Sequence, residues 1–250
     1  MTIQASRLGL PGQKHFWEGL VDAGAASGID SLLSEARFAR YVNRYNGDRT
    51  LARRLYTWNL AAASAFWGPI HVLEIAVRNA LHDQLVERTG RGDWWADTHI
   101  YLCNNEREAI DSAIATLQRR GTADPSSDQV VAATSFGLWV GLTGEGIPRD
   151  RTLSYETTLW QPRLQNAFPH RENRRRKYIH AKLDAVRVLR NRIAHHEPIY
   201  RAPLQDLYDD ILEIAAMVHP DARQFIESHS RAQEVIDHLQ DAVTTGEIKF

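Results

Sequence analysis

Ten residues from Arg190 to Ile199, RNRIAHHEPI, gather two arginines, an asparagine and two histidines where a helical pattern runs out. These side chains can hold a phosphodiester and move protons around it. Arginine keeps its charge at any physiological pH and grips phosphate oxygens through a planar fork. Histidine, with an ordinary pKa near ~6.5, accepts and donates protons at neutrality. Glu197 lies beside His195 and His196, but the H-E-x-x-H spacing of a zinc site is missing. Neither a metal nor a cofactor is expected, since no glycine-rich phosphate loop follows a strand pattern either.

Helix geometry limits how these groups can meet. Arg190 and His195 are five positions apart, about 140° around a regular helix, and do not share a face. Asn191 does share one with His195, and Arg192 with His196. Pro198 disfavours helical backbone at Glu197, so the helix is expected to end at or near His196. A histidine in that last turn could then swing toward the long Arg190 side chain.

The elements that must position this cluster read as helices throughout. Ser34 is expected to cap a helix running to about Tyr45, broken by Gly47, and Asp48 to cap the next, with Leu51, Leu55, Trp58 and Ala62 at spacings of three and four. Gly68-Pro69 is expected to interrupt, with Pro69 in the first turn of a new helix ending near Gly90-Arg91-Gly92. Further helices are expected over Asn105 to Arg119 and Asp128 to Leu142, separated by a loop at Gly121 to Ser127. Thr143 to Pro169 should mix short helices with loops. One long helix is expected from Arg171 to about His196, with Leu183, Val186, Leu189 and Ile193 as its buried side, and two or three helices should follow Pro203. The fold class is therefore all-α. Residues 1–30 read as an N-terminal extension and residues 31–245 as the helical domain.

Composition sets the outer bounds. At 250 residues, 43% hydrophobic and 24% charged, the chain can build a core without covalent staples. Its one cysteine, Cys103, excludes an intramolecular disulfide framework and agrees with a reducing, cytoplasmic setting. No basic-then-apolar leader opens the chain, so a signal peptide is not expected. The uncharged run from Thr57 to Leu73 carries Asn59, Ser64, Gly68, Pro69 and His71, and reads as a buried helix pair rather than a membrane span. The tryptophans Trp58, Trp67, Trp94, Trp95 and Trp139 are expected in the core, with a base-stacking platform as the alternative.

Charge is unevenly placed. From Arg171 to Arg201 ten Arg/Lys face three Asp/Glu, whereas from Ala202 to Phe250 three face ten. One reading is a basic face for a polyanion; the other is two segments that pack together and neutralise each other. Within the basic stretch, Arg174, Arg175, Arg176 and Lys177 sit near His170 and Tyr178, a mixture suited to a phosphate backbone with an occasional stacked base. A solvated helix face is the plainer alternative.

The R-N-x-x-x-H pattern at Arg190, Asn191 and His195, late on a helix in an all-α chain, resembles the signature of the HEPN superfamily. The longer form LRNRIAHHEPI resembles the Abi-like (abortive infection) proteins within it. Further blocks are similar in order: LSEARFARYV at Leu33 to Val42, LYTWN at Leu55 to Asn59, LEIAVRNAL at Leu73 to Leu81, GDWW at Gly92 to Trp95 and SFGLWVGL at Ser135 to Leu142. The resemblance spans about Ser31 to Val235. It implies a HEPN-like multi-helix bundle with additional helices, acting on RNA as a homodimer that places two motifs together. It further implies a metal-independent endoribonuclease used as a toxin or in antiviral defence, with an antitoxin protein or RNA as a possible partner. In that frame Arg190 stabilises charge on phosphoryl oxygens, His195 is the general base or acid, and Asn191 orients one of these groups. Arg192, His196 and the basic run Arg174 to Lys177 would contact RNA.

The second Arg-Asn pair, Arg78-Asn79, has its histidine one residue too early to repeat the motif. Glu74, Arg78 and Asn79 are expected to support the motif helix through polar contacts, with direct RNA contact as the alternative. Burying such charges costs several kcal/mol unless they are paired, so each requires a named partner. Two functions besides a nuclease stay open: an RNA-binding module without turnover, and a helical interaction protein whose motif organises a dimer interface.

Overall fold

The computed structural model describes residues 32–173 and 175–250; the expected N-terminal extension and Arg174 lie outside them. The described residues are helical with no β-strand, only an isolated antiparallel bridge between Gly146 and Ser154. The chain divides into two units, residues 1–56 and 57–250.

In the first unit, helix α1 (Glu35–Val42) buries Phe38 and Tyr41, and a short 3-10 turn follows at Asn43–Tyr45. Ser34 stands at the N-cap position but its side chain makes no capping bond. Tyr41 meets Tyr56 edge to face at 5.3 Å. Helix α2 (Arg49–Thr89) starts where expected, because Asp48 Oδ1 accepts from the amides of Thr50 at 2.9 Å and Leu51 at 3.0 Å.

The 41-residue α2 corrects the expected break, since Pro69 lies inside it. Proline there removes one amide donor and crowds the carbonyl of Ala65, at about 3 kcal/mol. On either side of it Ala65, Phe66, Ile70 and Leu73 are buried. Each large apolar side chain so buried contributes about 1.5–3 kcal/mol, so packing outweighs the local defect. One window of α2 is long and apolar enough to cross a membrane, with a mean hydropathy of 1.5, but its apolar residues here form the core of a helical fold.

The 3-10 turn Trp94–Ala96 folds back so that the Trp94 indole donates to His82 Nδ1 at 3.1 Å. Burial holds the His82 imidazole below its ordinary pKa, against the opposing pull of Asp83 and Asp128. Helix α3 (Asn104–Arg119) then packs on α4 (Ser127–Ala133) and α5 (Phe136–Leu142). A single helix was expected over this last stretch. It splits because Thr134 takes an extended backbone, its hydroxyl donating to the Val131 carbonyl at 2.7 Å and accepting from the Trp139 indole at 2.9 Å. A π-helical turn (Glu156–Trp160) and a 3-10 turn (Leu164–Ala167) follow, in the stretch expected to mix short helices with loops.

The motif helix α6 runs Arg176–Ala194, starting five residues later than expected. Asn173 Oδ1 accepts from the Arg175 amide at 3.0 Å, and Arg175 itself is extended, which delays the first turn. Four helices close the chain rather than two or three: α7 (Leu204–Val218), α8 (Pro220–His229), α9 (Ala232–Asp237) and α10 (Leu239–Thr245). Pro220 at the start of α8 and the extended Ser230 after it supply the extra boundaries.

Helix α6 is fastened at both ends. At its start, the buried Arg176 donates to Glu156 Oε2 at 2.7 Å and to the Thr143 carbonyl at 2.8 Å, and Thr143 Oγ1 lies 3.0 Å from His180 Nδ1. Past its end, Asn59, only 5% exposed, accepts from the amides of Ile199 at 2.8 Å and Tyr200 at 3.1 Å through one oxygen. Asn59→Ala removes the acceptor of one buried and one part-buried amide and should lower the unfolding free energy by about 1–3 kcal/mol. Urea denaturation checks this; a loss below about 1 kcal/mol would show that the loop repacks without the asparagine.

Candidate functional site

Helix α6 ends in a complete reversal motif. His195 caps it, with its amide donating to Asn191 O at 2.9 Å. His196 adopts a left-handed backbone, φ +56°, and donates to Ile193 O at 3.0 Å. Glu197 donates to Arg192 O at 2.8 Å, and Pro198 prevents any further turn. Termination thus falls where Pro198 implies. The backbone hydrogen bond at His195 still follows the helix, so its ring keeps the angular offset from Arg190 that helix geometry dictates.

The two motif side chains accordingly have different surroundings. Arg190 is half-buried, with its Nε 3.6 Å from Glu74 Oε2 and its guanidinium 5.7 Å from the centre of the Trp67 ring. His195 is exposed, as are His196 and Arg192, while Asn191 is half-buried. Among the described residues no hydrogen bond or ion pair joins Arg190 to His195. The expected swing of the histidine toward the arginine is not seen within one chain.

Arg190 closes a cleft of about 150 Å³ whose other wall is a stripe of α2: Trp67, Ile70, His71, Glu74 and Arg78. Trp67, His71, Glu74 and Arg78 recur at intervals of four, three and four residues, which places them along one helix face. Glu74 thus meets the motif helix. Arg78 lines the cleft instead, and its Nε, like that of Arg190, is shielded from solvent and has no hydrogen-bond acceptor. Asn79 is exposed.

The basic run divides. Arg175 and Lys177 are exposed. Arg176 departs from the expectation of RNA contact: at 5% exposure its charge is satisfied inside the fold by Glu156 and Thr143. The acidic C-terminal segment neutralises part of the stretch, since Lys182 pairs with Asp210 and, at 2.9 Å, with Glu213. Burial alone would lower the Lys182 pKa, but the bonds to these carboxylates outweigh it and raise it. Tyr178, read as a base-stacking neighbour, donates instead to Glu213 at 2.6 Å. On this side of α6 the two segments therefore pack together and neutralise each other.

Two residues that the sequence did not place beside the motif line the cleft. Trp67, expected in the core, is 44% exposed, in contrast to the buried Trp58, Trp94 and Trp139, and Trp95 is half-buried. His71, one turn further along α2, also lines the cleft. The spacing of Trp67, His71, Glu74 and Arg78 was the available signal. No family model, curated protein or solved structure matches the chain.

The left-handed His196 is the one strained backbone position in the motif. A side chain there costs about 1 kcal/mol relative to glycine. His196→Gly should raise the unfolding free energy by about that amount, measured by urea denaturation. A destabilised variant would mean that the His196 imidazole holds the helix end.

Proposed function

We propose that this chain is an RNA-targeting protein of HEPN-like type that cleaves RNA without metal, using Arg190, Asn191 and His195 at a two-fold dimeric site. The supporting observation is the division of the motif. Arg190 faces a cleft fixed by α2, while His195 stands exposed at the helix end. A second copy of the chain can bring its own exposed histidine to the arginine. In this reading His195 takes the proton of the 2′-hydroxyl, whose oxygen attacks the phosphorus. The 5′-oxygen leaves and takes a proton from water, giving a 2′,3′-cyclic phosphate and a 5′-hydroxyl, and the His195 imidazolium returns its proton to solvent. Arg190 holds the charge that builds on the phosphoryl oxygens, and Asn191 orients a reacting group. The exposed Arg175, Lys177, Arg192 and His196 would carry the RNA backbone. Arg176 is not part of this surface.

A second reading is favoured by the Glu74–Arg190 pair, in which the arginine is structural and the motif organises a helical interface. The two differ in turnover. Purified protein in excess chelator should cleave single-stranded RNA, and His195→Ala should reduce the rate by about 10²–10⁴-fold with the fold unchanged. Equal rates for wild type and His195→Ala would reject the nuclease reading.

A further inference from the structure

The cleft between α2 and α6 has the chemistry of an anion site that is already partly built. Two guanidinium groups, those of Arg78 and Arg190, border a space of about 150 Å³. The Nε–H of each is buried without an acceptor. Glu74 lies 3.6 Å from Arg190 Nε and balances one of the two charges. Glu74 supplies one negative charge against two guanidiniums, so these three groups sum to one net positive charge at the cleft, alongside His71.

Size narrows the ligand. Pockets that enclose a drug-sized molecule occupy roughly 300 Å³ or more, so this one admits a phosphate group and leaves an attached nucleoside outside. At the cleft edge stands Trp67, 44% exposed. An indole held beside a phosphate-sized, arginine-lined hollow matches the pairing of electrostatic grip and ring stacking used on single strands, where stacking contributes about 1–3 kcal/mol per base.

We infer that the cleft is a nucleotide subsite for single-stranded RNA, in which Arg78 and Arg190 hold one backbone phosphate and Trp67 stacks the adjoining base. The inference rests on the RNA reading and adds to it. It gives Arg78 a contact with ligand rather than a supporting role, and it gives Trp67 and His71 a place in the site. It also places one point of substrate grip on α2, apart from the exposed helix end that carries His195.

Two probes test it: a 2′-O-methyl uridine 12-mer, which lacks the nucleophile and cannot be cleaved, and uridine monophosphate. Binding of the 12-mer is read by anisotropy for the wild type, Arg78→Gln and Trp67→Leu, with circular dichroism confirming the fold of each. Binding of the monophosphate is read from the Trp67 indole N–H resonance, assigned by its loss in Trp67→Leu. We expect at least tenfold weaker 12-mer binding for each variant. Arg78→Gln should also reduce the salt dependence by about one phosphate contact, and the monophosphate should shift the Trp67 resonance. If the wild type binds the 12-mer and both variants bind it equally well, the subsite is overturned while the RNA reading survives. If the monophosphate shifts Trp67 but the 12-mer does not bind, the cleft is a phosphate site and the RNA reading falls. If neither probe binds, both fall.

Discussion

One carboxamide oxygen fixes the geometry of the motif. Asn59 Oδ1 accepts from two consecutive amides, those of Ile199 and Tyr200, in a buried setting. Amides in that setting must find an acceptor, and a turning loop has none of its own to offer. The bond therefore decides where the chain goes after α6. Fifteen residues further along the same helix, Glu74 meets Arg190. The contacts run in opposite order along the two segments, so the register of α6 against α2 is set at two points roughly 22 Å apart along α2. Arg176 fixes the other end of α6 against Thr143 and Glu156. A helix held at three places has little freedom to rotate, and the motif side chains face where that register sends them.

This rotation explains how the motif divides. Val186, Leu189 and Ile193 turn inward, and Arg190 follows them toward α2 while His195 turns away. The termination at Pro198 stops the helix without unwinding it enough to reverse that arrangement. The arginine thus gains a defined electrostatic setting from Glu74 and Trp67, and the histidine stays accessible, as the proposed proton transfer requires. This separation is what supports the proposal of a composite site built from two copies rather than a site within one chain.

Local chemistry was the legible part of the sequence. Asp48 as a cap, the α2 stop near Gly90 and the end of α6 before Pro198 each depend on a few adjacent residues, and each was readable from them. Tertiary decisions were not. Pro69 has the local character of a helix start, yet the burial of Phe66, Ile70 and Leu73 around it keeps α2 continuous. Thr134 is unremarkable in sequence; it breaks the helix because its hydroxyl bonds the Val131 carbonyl and accepts from the Trp139 indole, a pairing that local propensity does not signal. Arg176 looks like its neighbours Arg175 and Lys177, and it is drawn inside by Glu156 and the Thr143 carbonyl, which lie far from it in sequence. For the site itself the motif residues were plain. The cleft was not, because it depends on which face of α2 turns toward Arg190.

The claim that matters most is that Arg190 of one chain works with His195 of another. Mixing two inactive proteins addresses it directly. Arg190→Ala and His195→Ala are unfolded together, refolded as a mixture and assayed on single-stranded RNA in the presence of chelator. Random pairing makes half of the dimers mixed, each with one intact arginine–histidine pair, so the account expects about a quarter of wild-type activity from a mixture whose components are each inactive. A mixture as inactive as its parts, with mixed dimers shown to be present, would contradict it.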